Sequence, residues 1–93
     1  MGSSWKIELR AKAERELDSL PTKGMKAEAA QALRDLELDP FGPNTAPLED
    51  HRMYRKVYLS RGYRIVYRVS EPHRQIYVVR IRPHDEAYSG FGD

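Results

Sequence analysis

Trp5, Ile7 and Leu9 alternate with Lys6, Glu8 and Arg10, the two-residue period of a strand with one buried face. From Ala11 the period lengthens. Ala13, Leu17 and Leu20 line one helical face, and Pro21 sets the end of that helix near Leu20, because proline neither donates to a helix nor tolerates the preceding turn. A second helical period runs from about Lys23 to Leu38, with Met25, Ala29, Leu33 and Leu36 on its inner face and Asp39-Pro40 as its stop. PTKG between the two makes a short helical hairpin. Residues 39–50, DPFGPNTAPLED, hold three of the six prolines together with Gly42 and Asn44 and read as an ordered surface connection. Three strands follow, Met53–Leu59, Tyr63–Val69 and Gln75–Arg82, joined by a tight SRG hairpin at 60–62 and an SEPHR turn,. The order β-α-α-β-β-β predicts an α+β fold: a helical hairpin packed on one face of a small, mostly antiparallel, four-stranded sheet. At 93 residues the chain has room for one core, so a single domain over 1–93 is expected, with 1–4 reading as a disordered or appended remnant.

Alternation also assigns faces. Tyr63, Ile65, Tyr67 and Val69 share one side of their strand, and Arg64, Val66 and Arg68 the other. In the last strand, strict parity groups Tyr77, Val79 and Ile81 against Ile76, Val78, Arg80 and Arg82. A sheet this small needs its apolar face under the helices, which places Arg64, Arg68, Arg80 and Arg82 together on the open face. Neighbouring strands lie roughly 5 Å apart, so four guanidinium groups there call for an anion, and phosphate suits their forked geometry. The bland alternative is a solvated sheet face, but that predicts polar residues rather than one sign of charge. Either Arg55 or Lys56 joins this face; parity alone leaves open which.

Charge sharpens the picture. Residues 1–50 carry 7 Lys+Arg against 10 Asp+Glu, whereas residues 51–93 carry 9 against 4, with all three histidines and all six tyrosines. Cations for phosphate and rings for stacking suit single-stranded nucleic acid, although a tyrosine-rich sheet is the simpler source of the aromatics. With 40% hydrophobic residues the chain should fold,. The absence of cysteine excludes disulfides and thiolate chemistry. Three separated histidines without cysteine give no zinc-ligand spacing, and no metal or other cofactor is expected. No apolar run approaches a membrane span, so a cytoplasmic location is expected.

The run MYRKVYLSRGYRIVYRV at 53–69, the GYRIVY core at 62–67 and the terminal RIRPHDEAY at 80–88 resemble the RelE/ParE superfamily of toxins from type II toxin–antitoxin systems. The resemblance covers nearly the whole chain, including its element order. RelE-like members are ribosome-dependent endoribonucleases that cut mRNA in the A site; ParE-like members poison DNA gyrase and lack the cleavage residues. Carried over by position, Arg64 falls on the strand arginine that RelE-like enzymes place at the scissile phosphate. Arg55 falls on one of their strand lysines and Val57 on the other, a departure that Lys56 compensates if the strand bulges. Arg80, His84 and Tyr88 are similar in spacing to the Arg, His and aromatic of the YafQ branch. The family further implies an antitoxin partner, typically a largely disordered chain that wraps the toxin, and an acidic segment would suit the basic half.

Metal-free RNA cleavage of this kind needs a base for the ribose 2′-OH, cations for the phosphoryl oxygens and an acid for the leaving 5′-oxygen. The resemblance implies a catalytic set of Arg64, Arg80, His84 and Tyr88, with Arg55, Lys56, Arg68 and Arg82 contacting RNA. A histidine side chain ordinarily exchanges its proton near neutrality, so His84 suits the acid; Arg64 and Arg80 suit the phosphate, and Tyr88 suits stacking on a flanking base. Asp85 or Glu86 suits orienting His84 or acting as base, with solvated surface as the equal alternative, and His51 and His73 read as surface residues. Expected partners are the antitoxin, mRNA and the ribosome. The competing readings are a ParE-like gyrase inhibitor without nuclease activity and a non-catalytic nucleic-acid-binding domain.

Overall fold

The computed structural model describes residues 5–48, 51 and 53–83. Strand β1 (Lys6–Leu9) leads through Arg10 into helix α1 (Ala11–Asp18), followed by helix α2 (Lys23–Leu38). Strands β2 (Thr45–Pro47), β3 (Tyr54–Tyr58), β4 (Tyr63–Ser70) and β5 (Gln75–Pro83) follow among the described residues. The sheet order is β1-β5-β4-β3-β2, with β1 parallel to β5 and every other pair antiparallel. The helices cover one side, so the α+β architecture is as expected, with one strand more than the four predicted. That strand, β2, lies inside the proline-rich connection. Three residues carry no usable period, and Pro47 is tolerated because β2 is an edge strand.

Helix α2 keeps its predicted bounds for local reasons. The Thr22 Oγ1 accepts the Met25 backbone N–H at 3.0 Å, an N-cap worth about 1 kcal/mol. Helix α1 ends two residues before the expected Leu20, where the Ser19 N–H turns back to the carbonyls of Arg15 and Glu16. Against the sheet the helices bury Ala13, Leu20, Met25, Ala29 and Leu36, which meet Val57, Leu59, Ile65, Tyr67, Ile76, Val78 and Ile81. Each large aliphatic side chain buried there contributes about 1.5–3 kcal/mol. Tyr67 is fully buried, and its hydroxyl donates to the Pro40 carbonyl at 2.6 Å, which ties the loop after α2 to the middle of the sheet.

Two details set the far face. Between β3 and β4, Arg61 (φ 59°) and Gly62 (φ 76°) take left-handed backbone, and the turn is tied to α2 because Glu28 accepts the Ser60 N–H at 2.9 Å and its hydroxyl at 2.6 Å. In β5, Val78 pairs with Tyr67 and Arg80 with Val66, so Val79 is an extra residue, a β-bulge. Strict alternation fails at that point. Ile76, Val78 and Ile81 all enter the helix-side core, where unbroken parity had put Ile76 and Val78 on the opposite side from Ile81. Val79 packs with Val66, Leu48 and Tyr54 in a second, smaller apolar cluster, so the sheet's other face is not bare.

Candidate nucleic-acid interface

Strands β3, β4 and β5 bring basic and aromatic side chains together on the face away from the helices. Arg64 of β4 lies directly opposite Tyr58 of β3 and Arg82 of β5. Its guanidinium carbon stands 4.7 Å from the Tyr58 ring centroid, and the Lys56 Nζ stands 5.5 Å from the same ring. Tyr58 is half exposed. The result is a tyrosine flanked by two cations, with a third opposite, at one end of the sheet. Cation–π contact holds such groups in place beside the ring.

The four-arginine open face, however, is not formed. Arg80 is 5% exposed and is turned onto Glu16 of α1. Its Nε and Nη2 donate to the carboxylate at 3.2 and 3.1 Å. The other carboxylate oxygen accepts the Ile81 backbone N–H at 2.7 Å, and the Arg82 Nε lies 3.4 Å from the oxygen that Arg80 engages. The physical reason is the sheet edge. Strand β1 pairs with β5 only as far as Val78, where the Arg10 N–H bonds the Val78 carbonyl. Beyond it the outward N–H of Ile81 has no strand to pair with, and a buried donor must be satisfied. Glu16 supplies the acceptor and draws Arg80 with it.

Arg55 is also displaced from the expected interface. The structure settles the choice that parity left open: Lys56 is on the outer face beside Tyr58, and Arg55 is on the helix side. There the Arg55 guanidinium sits over Phe41 at 5.1 Å and donates to the Thr45 hydroxyl at 2.8 Å. Together with Thr45 it lies near the Tyr67 hydroxyl, whose ionisation is pushed up, chiefly by burial. Arg68 shares the outer face but belongs to its other end, between Tyr54 and Tyr77, with its guanidinium 5.0 Å from the Tyr77 ring. Arg10 reaches the same ring at 4.7 Å. His84 and Tyr88, with Asp85 and Glu86, lie outside the described residues. His51 and His73 are exposed, as expected.

Of the groups that shape this region, Glu16, Tyr58 and Tyr77 were not singled out from the sequence. Glu16 had one available signal. It lies three residues after Ala13, which is fully buried against the sheet, so it projects on the covered side of α1, where an acid needs a partner. A groove of about 900 Å³ opens elsewhere, between α2 and β2–β3, beside Glu28, Asp35, Asp39, Leu36 and Val57. Its acidic rim is unsuited to a polyanion. Among the described residues no cluster of His, Asp or Glu could hold a metal ion, and no helix is long and apolar enough to cross a membrane.

Residues 7–88 match the family described as the ParE toxin of type II toxin–antitoxin systems, parDE. No curated protein matches the chain. Among solved structures, the chain is similar to an arginine-substituted Escherichia coli toxin RelE in the free state, with 22% identity, a TM-score of 0.78 and coverage of 94% of this chain and 93% of that one. A YoeB/ParE toxin from Agrobacterium tumefaciens is 23% identical at a TM-score of 0.75, covering 85% of this chain and 98% of its own. The toxin–antitoxin complex RelBE of Mycobacterium tuberculosis aligns at 22% identity and a TM-score of 0.73, covering 87% and 99%. At these identities the solved structures establish the fold.

Proposed function

The chain belongs to the ParE-toxin family of type II toxin–antitoxin systems, and from that premise we infer that it is a ribosome-dependent mRNA endoribonuclease. The observation that carries this reading is the pairing of Arg64 with Arg82 across β4 and β5, beside Tyr58 and Lys56. Two guanidinium groups on adjacent strands bracket a space suited to one phosphate, and bidentate hydrogen bonds from them would oppose the charge that builds on its oxygens. Arg82 thus takes the place expected of Arg80. The ribose 2′-OH gives its proton to Asp85 or Glu86 and attacks the neighbouring phosphorus, the bond to the 5′-oxygen breaks, and His84 protonates that leaving oxygen. Tyr58 and Tyr88 stack on flanking bases, and Lys56 adds a phosphate contact. The reaction needs no metal and takes place in the cytoplasm.

A cognate antitoxin neutralises the toxin in this reading by laying an acidic segment over the Lys56–Arg64–Arg82 end of the sheet. Gyrase inhibition is the second reading. Two observations favour it: the matched family is that of ParE toxins, and Val57, buried in the core, stands where RelE-like members carry a strand lysine.

Toeprinting of a defined mRNA on programmed ribosomes separates the two. Cleavage within the A-site codon is expected from wild type. Arg64→Ala and His84→Ala should each lose about 30-fold, some 2 kcal/mol of transition-state stabilisation. Uncut mRNA together with inhibition of gyrase supercoiling would replace the ribonuclease reading with the second.

A further inference from the structure

The Glu16 carboxylate meets donors from three residues of β5: Arg80, the Ile81 backbone and Arg82, of which Arg82 belongs to the proposed phosphate-binding face. A carboxylate beside a phosphate site weakens polyanion binding, so its presence there needs a reason beyond affinity. The geometry divides the two arginines. Arg80 gives Glu16 both Nε and Nη2, and its side chain is 7% exposed. Arg82 gives Glu16 Nε, keeps its side chain 34% exposed and stands opposite Arg64. The Nε contact limits the directions the Arg82 side chain can take from the strand.

We propose that Glu16 is a positioning residue for the nucleic-acid face: it withholds Arg80 from the polynucleotide and aims Arg82 at the phosphate position shared with Arg64. One arginine of β5, rather than two, therefore meets the substrate. The consequence for cleavage rests on the ribonuclease reading; the consequence for binding does not.

The two consequences have opposite signs in Glu16→Gln. Release of Arg80 adds a phosphate contact, while Arg82 loses its aim. Binding is measured with a fluorescein-labelled, single-stranded 2′-O-methyl oligonucleotide, which has no free 2′-OH and is not cut. Glu16→Gln should bind it more tightly at low salt, with a log K against log salt slope steeper by about 0.7, the value of one more single-strand phosphate contact. Cleavage of programmed mRNA by the same variant should fall about 10-fold in kcat. A merely structural Glu16 would lower binding and cleavage together, in proportion to folded protein, and that result overturns the proposal.

The double variant Glu16→Gln/Arg80→Gln removes the buried acid and the buried cation together and keeps the test open if the single variant does not fold. Its salt slope should equal that of wild type. A shallower slope would mean that Arg80 meets phosphate in the wild-type protein, and the proposal fails. Should wild type cut no mRNA, the ribonuclease reading fails, and the slopes alone decide: a steeper slope in Glu16→Gln supports the withholding of Arg80, and an unchanged one refutes it.

Discussion

The two halves of β5 are built on different principles. From Gln75 to Val78 the strand has β1 on one side and β4 on the other, and Ile76 and Val78 are fully buried. After the bulge at Val79 the strand keeps β4 but has α1 in place of a further strand, and a carboxylate closes the ladder at Ile81. Backbone satisfied by backbone is electrically quiet. Backbone satisfied by Glu16 brings a full charge to the strand end, and that charge decides which arginine is buried. The first half therefore holds the fold together, while the second arranges cations at its surface. Sheet edges are commonly covered by helices or charged groups; here the cover also sorts the functional residues.

Ile76→Ala strikes the first half and has the largest expected cost. It should remove about 2–5 kcal/mol of stability, read by chemical denaturation, with cleavage per folded molecule unchanged. Deletion of Val79 tests the boundary. The flanking pairs Val78–Tyr67 and Arg80–Val66 become continuous, so the helix-side core should survive. The loss of Val79 from its cluster with Leu48 and Val66 should cost about 1.5–3 kcal/mol, while removal of the bulge re-aims Arg80 and Arg82. A normal thermal transition with cleavage reduced well beyond the stability loss is expected; equal losses would mean that the bulge matters only for packing. The smallest effect is expected from Tyr67→Phe, beside the boundary, at about 1 kcal/mol for the lost hydrogen bond to Pro40. It carries a pH signature as well. Burial raises the Tyr67 ionisation above its usual 10.0, so the neutral phenol is favoured in the fold. Its contribution is complete below pH 10 and is lost as pH rises through the folded value. Alkaline unfolding in Tyr67→Phe should consequently begin at higher pH than its neutral-pH stability alone would give.

Helix α2 was legible to its ends because the PTKG turn, the Met25–Leu36 stripe and Asp39-Pro40 are each local signals. The outer-face position of Arg64 and Arg68 was legible too, since β4 alternates without interruption. Strand β2 was not, because three residues ending in a proline become a strand only when β3 supplies the partner. Nor was the choice between Arg55 and Lys56, which rests on Phe41 and Thr45 lying on the helix side. The Arg64–Tyr58 contact needed the β3–β4 register.

By itself the sequence determined the α+β order, the inner faces of the helices and of β4, and the concentration of cations and tyrosines in the second half, all of which follow from period and composition. Only the tertiary structure decided how those cations are divided. A bulge at Val79 shifts the phase of β5 in a way that no two-residue pattern records. Glu16 lies 64 residues before Arg80, and it meets Arg80 because β1 stops short and leaves a backbone donor for α1 to satisfy.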